Sequence, residues 1–396
     1  MKIGNNTQKC GISNFLISHL IFKDVKLSKL YAVAIIATFV FMPKAKTILV
    51  APLNWGLGHA TRCIPIIRAL LQHNYSVLLA SDGAALLLLQ KEFPSLESIK
   101  LPSYNITYPK NGRNFKWQML LKLPHILKTI SAEKKYMEQL VSERNLHGII
   151  SDNRFGVRSA RVPSVYITHQ LKVLSGNTSF FSSKIHQKII EKFDVCWIPD
   201  VANKDENLSG KLGHLNNNTF PVESLGVLSR MQKEEVTPAI DVLLLLSGPE
   251  PQRSLFEAKL KAVFKESDKN IIMVRGMIEE NQKWETFGNI RMVNFLTSHE
   301  LEETINKSKL VVCRSGYTTI MDLTILEKQV FFVPTPGQYE QEYLAKRLEN
   351  IGIAPSCTQE HFSLKELDRV KNYKGLIAIP AQPVNFSKLF SLFEGK

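Results

Sequence analysis

The chain has 396 residues, 44% of them hydrophobic and 22% charged, a globular composition that excludes a largely disordered protein and is long enough for two ordinary domains. Five cysteines (Cys10, Cys63, Cys196, Cys313 and Cys357) lack paired or metal-type spacing, which argues against a disulfide framework or a zinc site and for a reducing, cytoplasmic setting. The formal net charge of +14 favours anionic partners such as nucleotides or anionic lipid surfaces, and with no RNA- or DNA-binding motif present, nucleic acid is not an expected partner.

The first 46 residues carry seven lysines and one aspartate. Within them LYAVAIIATFVFM, at 30–42, is an apolar run of thirteen flanked by lysines. A bilayer span needs about 20 residues, and MPKAKT lacks the small-residue cleavage site of a secretory signal. Two readings weigh equally: a membrane-anchoring segment, or an appendage ahead of a start at Met42, because MPKAKTILVAPLNWG leads straight into a first strand.

From Lys46 onward, short β-branched runs alternate with helix-period stretches, the pattern of parallel sheets covered by helices. KTILVAP, YSVLLAS, HGIISD, SVYITH and VCWIPD read as strands of a first unit. DVLLLLSG, NIIMVRG, IRMVNF, KLVVCR and QVFFVPT read as strands of a second, and fully apolar runs such as LLLLS suit sheets buried on both faces. The polar tract NKDENLSGKLGHLNNNTF, followed by ESLGVLSRMQKEEV, places the link near residues 225–238. The expected organisation is an N-terminal extension (1–45), an N-terminal Rossmann-like domain (46–225), a C-terminal Rossmann-like domain (226–376) and a tail (377–396) packing back on the first domain. Two doubly wound α/β domains in tandem face a central cleft at the carboxyl ends of their strands, where ligands of such folds bind.

APLNWGLGHATR, at 51–62, joins the first strand to a helix. It holds the first two glycines of the dinucleotide pattern GxGxxG but threonine at the third; Asp82 keeps an NAD-type reading formally open, although that reading leaves the second domain unexplained. His59 suits a general base or a donor to phosphate or acceptor oxygens, against a plain helix-start role. Asp152, in IISDNRFG after a strand, competes with it as proton acceptor and equally reads as a turn residue. His169, in VYITHQ, has a similar strand-end place and reads as structural.

Residues 110–144 hold eight Lys/Arg and three Glu around FKWQMLLKLPHILKTI. Such a mixture suits a membrane surface or a lipid-linked acceptor, but Pro124 is expected to interrupt a continuous amphipathic helix, and a core helix with a basic outer face is the favoured reading.

The most specific chemistry lies at 313–345, CRSGYTTIMDLTILEKQVFFVPTPGQYEQEYLA. A strand ends at Arg314-Ser315-Gly316 and a helix starts near Tyr317, so free N–H groups and the positive helix end favour a phosphate there, with Thr318 adding a hydroxyl. Asp322 shares the face of Thr318 about 6 Å further along the helix, an offset that suits ribose hydroxyls; a solvated polar residue is the equal alternative. The next strand opens into Pro336-Gly337-Gln338 and a helix whose first turn holds Glu340, Gln341 and Glu342, residues able to bind vicinal sugar hydroxyls or simply to stabilise the helix dipole.

This segment resembles the donor-binding region of GT-B glycosyltransferases, particularly the family 28 type that includes the peptidoglycan N-acetylglucosaminyltransferase. Ser315 and Gly316 match its phosphate-binding turn, Asp322 stands where glutamate is usual, and Gln341-Glu342 stand where Gln-Gln is usual. The resemblance extends over about 46–375. It implies phosphate contacts from Ser247 and Gly248 in LLLLSGPEPQRS, where Pro249 and Pro251 each remove a backbone donor and Arg253 compensates electrostatically. It further implies base recognition at Phe295-Leu296, and an opening loop whose Gly56, Gly58 and His59 face the acceptor and the donor phosphates.

The expectation is therefore an inverting transferase moving a sugar from a nucleotide-diphosphate sugar, a UDP-sugar in the first instance, to an acceptor hydroxyl. The donor is a substrate, so no cofactor is expected. The acceptor is unidentified, with lipid-linked and polysaccharide acceptors both open and contact with the inner face of a membrane compatible with the charge. No Asp-x-Asp pair occurs, so metal is not expected, and Arg314 or Arg253 together with the helix start would stabilise the leaving diphosphate. A UDP-sugar 2-epimerase and a non-catalytic nucleotide-sugar-binding protein are the alternatives.

Overall fold

Parallel strands that read as unbroken apolar runs do so because helices cover both faces of their sheet, and two such sheets organise the chain. The computed structural model describes residues 45–395 apart from 106–114, 177, 204–205, 216 and 382–383, and of 115–120 only the backbone. The apolar run at 30–42 and the start of the basic tract lie outside the described residues.

The first domain runs β1 (Thr47–Pro52), α1 (Gly58–Gln72), β2 (Ser76–Ser81), α2 (Gly83–Glu92), β3 (Ser98–Lys100), α3 (Phe115–Glu143), β4 (Leu146–Asp152), β5 (Ser164–Ile167), α4 (Ser179–Ile190), β6 (Val195–Ile198) and β7 (Val222–Ser224). Its seven strands lie in the order β3-β2-β1-β4-β5-β6-β7, every pairing parallel. The second domain runs β8 (Ile240–Leu245), α5 (Gln252–Phe264), β9 (Ile271–Val274), β10 (Trp284–Phe287), β11 (Ile290–Val293), α6 (Ser298–Asn306), β12 (Ser308–Cys313), α7 (Tyr317–Ile325), β13 (Gln329–Phe332), α8 (Tyr339–Asn350) and the short α9 (Leu364–Leu367). Its order is β10-β11-β9-β8-β12-β13, parallel except for the β10–β11 hairpin at one edge. Both sheets change winding direction next to their first strand, which opens a crevice at the carboxyl ends of β1 and β4, and of β8 and β12.

All ten strands read from the sequence are present. The three it lacked are β3, β7 and β10, which are short; β10 is also exposed along its whole length, so it carries no alternation. The expected break at Pro124 does not occur. α3 continues through it for 29 residues, because one missing donor and a local clash are offset by the packing of Ile126, Met137 and Leu140. Leu121, Leu123 and Leu127 point outward on the same helix, so its outer face is apolar as well as basic.

The two domains share one apolar core: α1 packs against α7, and Ile64 and Ile67 belong to the same cluster as Tyr317 and Met321. Beyond the second domain, α10 (Phe386–Phe390) returns to the first sheet, where Phe390 and Phe393 are buried against Tyr75 and Trp197. Lys46 Nζ donates to the Phe393 carbonyl at 2.9 Å, joining the start of the first domain to that tail.

Candidate active site

The loop after β1 turns sharply at Gly56, whose φ of +74° lies where side chains are strained, and delivers His59 to the first turn of α1. Two residues on, Gly58 lies against α7: a Cβ there would sit 3.2 Å from Thr318 Oγ1, and that hydroxyl donates to the Gly58 carbonyl at 3.1 Å. Thr318 therefore ties the helix start of one domain to the opening loop of the other.

Asp152 ends β4 and pairs in parallel register with Pro52 at the end of β1, so strand adjacency brings it beside His59 despite a sequence separation of 93. His59 Nδ1 lies 2.7 Å from Asp152 Oδ1. Arg62, one turn further along α1, donates through Nε and Nη2 to both oxygens of the same carboxylate. Its Nη1 lies 3.0 Å from Nδ1 of His169, which follows β5, the strand beside β4.

Burial alone would raise the Asp152 carboxyl, yet Arg62 and then His59 hold it down to about 2. It is ionised at neutral pH and accepts only, so the proton between it and His59 resides on His59 Nδ1. Arg62 Nη2, 2.9 Å from that nitrogen, therefore points its hydrogen at the carboxylate instead. The His59 lone pair is on Nε2, for which the described residues provide no hydrogen-bond partner. Burial, only partly opposed by Asp152, lowers the imidazole below its ordinary 6.5 and keeps it neutral at pH 7. A neutral imidazole oriented by a carboxylate is a competent general base, whereas Asp152, fully buried and saturated with donors, is not.

In the second domain, Ser315 and Gly316 lie between β12 and α7, and Ser247 and Gly248 follow β8, the neighbouring strand. The two turns are side by side at the cleft. Ser315 Oγ donates to the Gln341 carbonyl at 2.8 Å. Gln341 and Glu342 hold their own turn, accepting from Thr335 N at 2.8 Å and Gly337 N at 2.9 Å. Phe295 and Leu296 follow β11 and are buried; the Phe295 carbonyl accepts from Gln282, and Lys91 of the first domain lies 5.2 Å over its ring.

Three expectations change. Arg314 does not face the cleft: its fully buried guanidinium donates to the carbonyls of Val333, Pro334 and Gln252 and to Gln359, stacked 4.0 Å from the Phe256 ring. It replaces missing backbone partners behind the strand ends and is not available to a diphosphate. Arg253 is paired with Glu250 and Glu257, so its charge is already balanced within α5 and the turn before it. Asp322 is buried and not solvated: it accepts from Ser229 Oγ at 2.6 Å and lies 4.0 Å from Arg230 Nε, both in the segment joining the domains.

Arg62 and the linking place of His169 were not singled out beforehand. Arg62 had a signal, a cation three residues after His59 and directly before the apolar run CIPII.

Two parallel-sheet domains meeting at a cleft lined by strand-to-helix turns give this chain the GT-B fold of glycosyltransferases. Solved structures agree: the spinosyn rhamnosyltransferase SpnG aligns with a TM-score of 0.58 at 13% identity over 88% of this chain and 96% of that one. MurG of Acinetobacter baumannii aligns with a TM-score of 0.52 at 15% identity over 89% and 100%. Residues 242–371 match the glycosyltransferase family 28 C-terminal domain, which makes the second domain similar to the donor-binding domain of that family. It is 22% identical, over 289 residues covering 69% of this chain and 77% of the relative, to the UDP-N-acetylglucosamine–N-acetylmuramyl-(pentapeptide) pyrophosphoryl-undecaprenol N-acetylglucosamine transferase of Haemophilus ducreyi.

Proposed function

We propose that the chain transfers a hexosyl or N-acetylhexosaminyl group from a UDP-sugar to an acceptor hydroxyl with inversion and without a metal bridge. The observation that carries the reading is the 2.7 Å contact of His59 Nδ1 with Asp152, which leaves Nε2 as the proton acceptor in the cleft. His59 Nε2 takes the acceptor proton as that oxygen attacks the anomeric carbon from the face opposite the diphosphate. The bond from carbon to the diphosphate oxygen breaks, and its electron pair leaves with UDP.

The free N–H groups at the start of α7, with the turn residues Ser315 and Gly316 and the neighbouring Ser247 and Gly248, suit the developing charge on the diphosphate. Phe295-Leu296 suit the base and Asp322 the ribose, and Gln341-Glu342 suit the sugar. The absence of an Asp-x-Asp pair from the sequence supports metal-independent transfer.

For the acceptor, the Haemophilus ducreyi relative's name specifies a pyrophosphoryl-undecaprenol compound, which supports a lipid-linked acceptor at the inner face of the membrane. Among the described residues no helix is long and apolar enough to cross a membrane. Surface contact is supported instead by exposed Leu121 and Leu127 on α3 and exposed Phe180, Phe181 and Ile185 on α4, with Lys128, Lys184 and Lys188 alongside. Both helices pack on Phe155, whose strand end also carries Asp152, so this face adjoins the acceptor side of the cleft.

The test incubates the protein with several UDP-sugars and extracted lipid and polysaccharide acceptors, following UDP release and the fate of the sugar. UDP with a new glycoside is expected, absent in His59→Gln. A changed hexosamine replaces transfer with epimerisation, and UDP-sugar binding without turnover reduces the protein to a binder.

A further inference from the structure

Glu340 belongs to the domain opposite the His59–Asp152 pair, in the first turn of α8. Its Oε1 lies 2.7 Å from His169 Nε2, and its Oε2 accepts from Gln170 Nε2. Burial would raise this carboxyl, but the His169 contact holds it below the usual range, so it is ionised and accepts only. The proton on the His169 side is therefore on Nε2. At the other edge of the ring, Nδ1 lies 3.0 Å from Arg62 Nη1, a group that only donates, so Nδ1 carries the lone pair. One neutral tautomer satisfies both ends.

Arg62 then donates to both oxygens of Asp152, and Asp152 accepts from His59 Nδ1. Donors and acceptors thus alternate without a mismatch from Glu340 to the lone pair on His59 Nε2. A second group from the same domain steadies the chain midway: the Tyr317 ring stacks on His169 at 4.1 Å with planes 6° apart, and its hydroxyl donates to the Pro199 carbonyl at 2.8 Å.

We propose that Glu340 is a positioning residue that acts through His169 and Arg62 to orient the His59–Asp152 pair only while the donor-binding domain is closed on the cleft. The proposal rests on the transfer reading given above. Its physical basis is the narrow range of a hydrogen bond. Drawing α8 back by about 1 Å takes the 2.7 Å contact beyond bonding distance. His169 then loses the acceptor that selects its tautomer, and the Arg62 fork loses the partner that fixes its third nitrogen. A base so coupled is aligned when the domain that carries the nucleotide sugar is in place, which protects the open enzyme from unproductive proton transfer. Glu340 sits next to Gln341 and Glu342, and a direct contact with the donor sugar is the competing role. Both of its oxygens, however, are already engaged by the first domain.

The experiment is a double-mutant cycle in the full chain with Glu340→Ala, Glu340→Gln, His169→Ala and the double variant Glu340→Ala/His169→Ala. The substrate is the UDP-sugar that the wild type turns over. Glu340→Ala is expected to lower kcat on the order of tenfold to a hundredfold, the usual cost of a slightly misplaced group. Donor KM should change by less than about threefold, and adding Glu340→Ala to His169→Ala should cost nothing more. Glu340→Gln, whose amide oxygen still accepts from His169 Nε2–H, should recover most of kcat. Additive losses, or a donor KM that rises more than kcat falls, overturn the proposal in favour of a donor ligand.

A substrate-free arm uses nitrogen-15 imidazole spectra of the full chain. The wild type should show His169 as the Nε2–H tautomer and His59 as Nδ1–H, and Glu340→Ala should mix the His169 tautomers. Identical spectra overturn the relay. If the wild type releases no UDP, the transfer reading fails on its own, and the spectra alone decide the relay.

Discussion

Arg62→Met removes the only cation among the described residues bonded to Asp152 while keeping most of the apolar stem, and its effect follows from the burial of the pair. Without Arg62 the carboxylate, fully buried, keeps His59 Nδ1 at 2.7 Å, Asn153 Nδ2 at 3.3 Å and the Cys63 thiol at 3.7 Å. Stripping one partner from a buried pair costs about 3–5 kcal/mol. A separate route gives a similar figure: the carboxyl is held at about 2 against an ordinary 3.8, and at 1.36 kcal/mol per pH unit that is about 2 kcal/mol, with Arg62 the largest stabilising influence. A loss of about 2–5 kcal/mol at pH 7 is therefore expected from urea unfolding.

The pH dependence carries the sign. A depressed carboxyl contributes stability that is fully present above its ordinary value and lost as pH falls through the folded one, so the difference between wild type and variant should narrow from about pH 5 towards pH 2. A gap under about 1 kcal/mol at pH 7, or one that widens in acid, would refute the account of Arg62 as the counter-ion of a buried carboxylate.

Three further outcomes are expected. Because burial lowers His59, kcat/KM should hold at neutral pH and fall on the acid side through an apparent value below 6.5; a limb above 6.5, or one that persists in His59→Gln, removes this residue as the base. Asp322→Ala leaves the Ser229 hydroxyl without its acceptor and Arg230 without its counter-ion, and should destabilise the chain by about 1–3 kcal/mol, read from urea unfolding. Calorimetric titration of the same variant with UDP should show weaker binding, and undiminished affinity ends the proposed ribose contact. Phe393→Ala empties a site 1% exposed between Tyr75 and Trp197, and a cost of about 3–5 kcal/mol in unfolding is expected; a near-neutral change means the tail does not hold the first domain.

The long strands were legible because apolar runs such as TILVAP and IDVLLL are bounded by turn residues and have no other stable place than a sheet covered on both sides. The three-residue β3 and β7 and the exposed β10 were not, since pairing with a neighbour creates them: β10 exists through its hairpin with β11 and exposes every side chain. Pro124 shows the converse, a local breaking signal outweighed by tertiary packing.

In the candidate site, His59 and Asp152 were legible one at a time, as a helix-start histidine and a strand-end carboxylate. Their alliance was not, because it depends on β1 lying beside β4, and strand order is not written in local periodicity. The same holds for Arg62 and Arg314. Both are cations next to a glycine-rich turn, yet one turns onto a buried carboxylate at the cleft and the other onto four oxygens behind the sheet. The sequence by itself determined the elements, their two-domain grouping and the turns that face the cleft, since these follow from spacing along a few residues. Only the tertiary structure decided which charges meet, because desolvation and partner distance are properties of groups that the chain brings together from far apart.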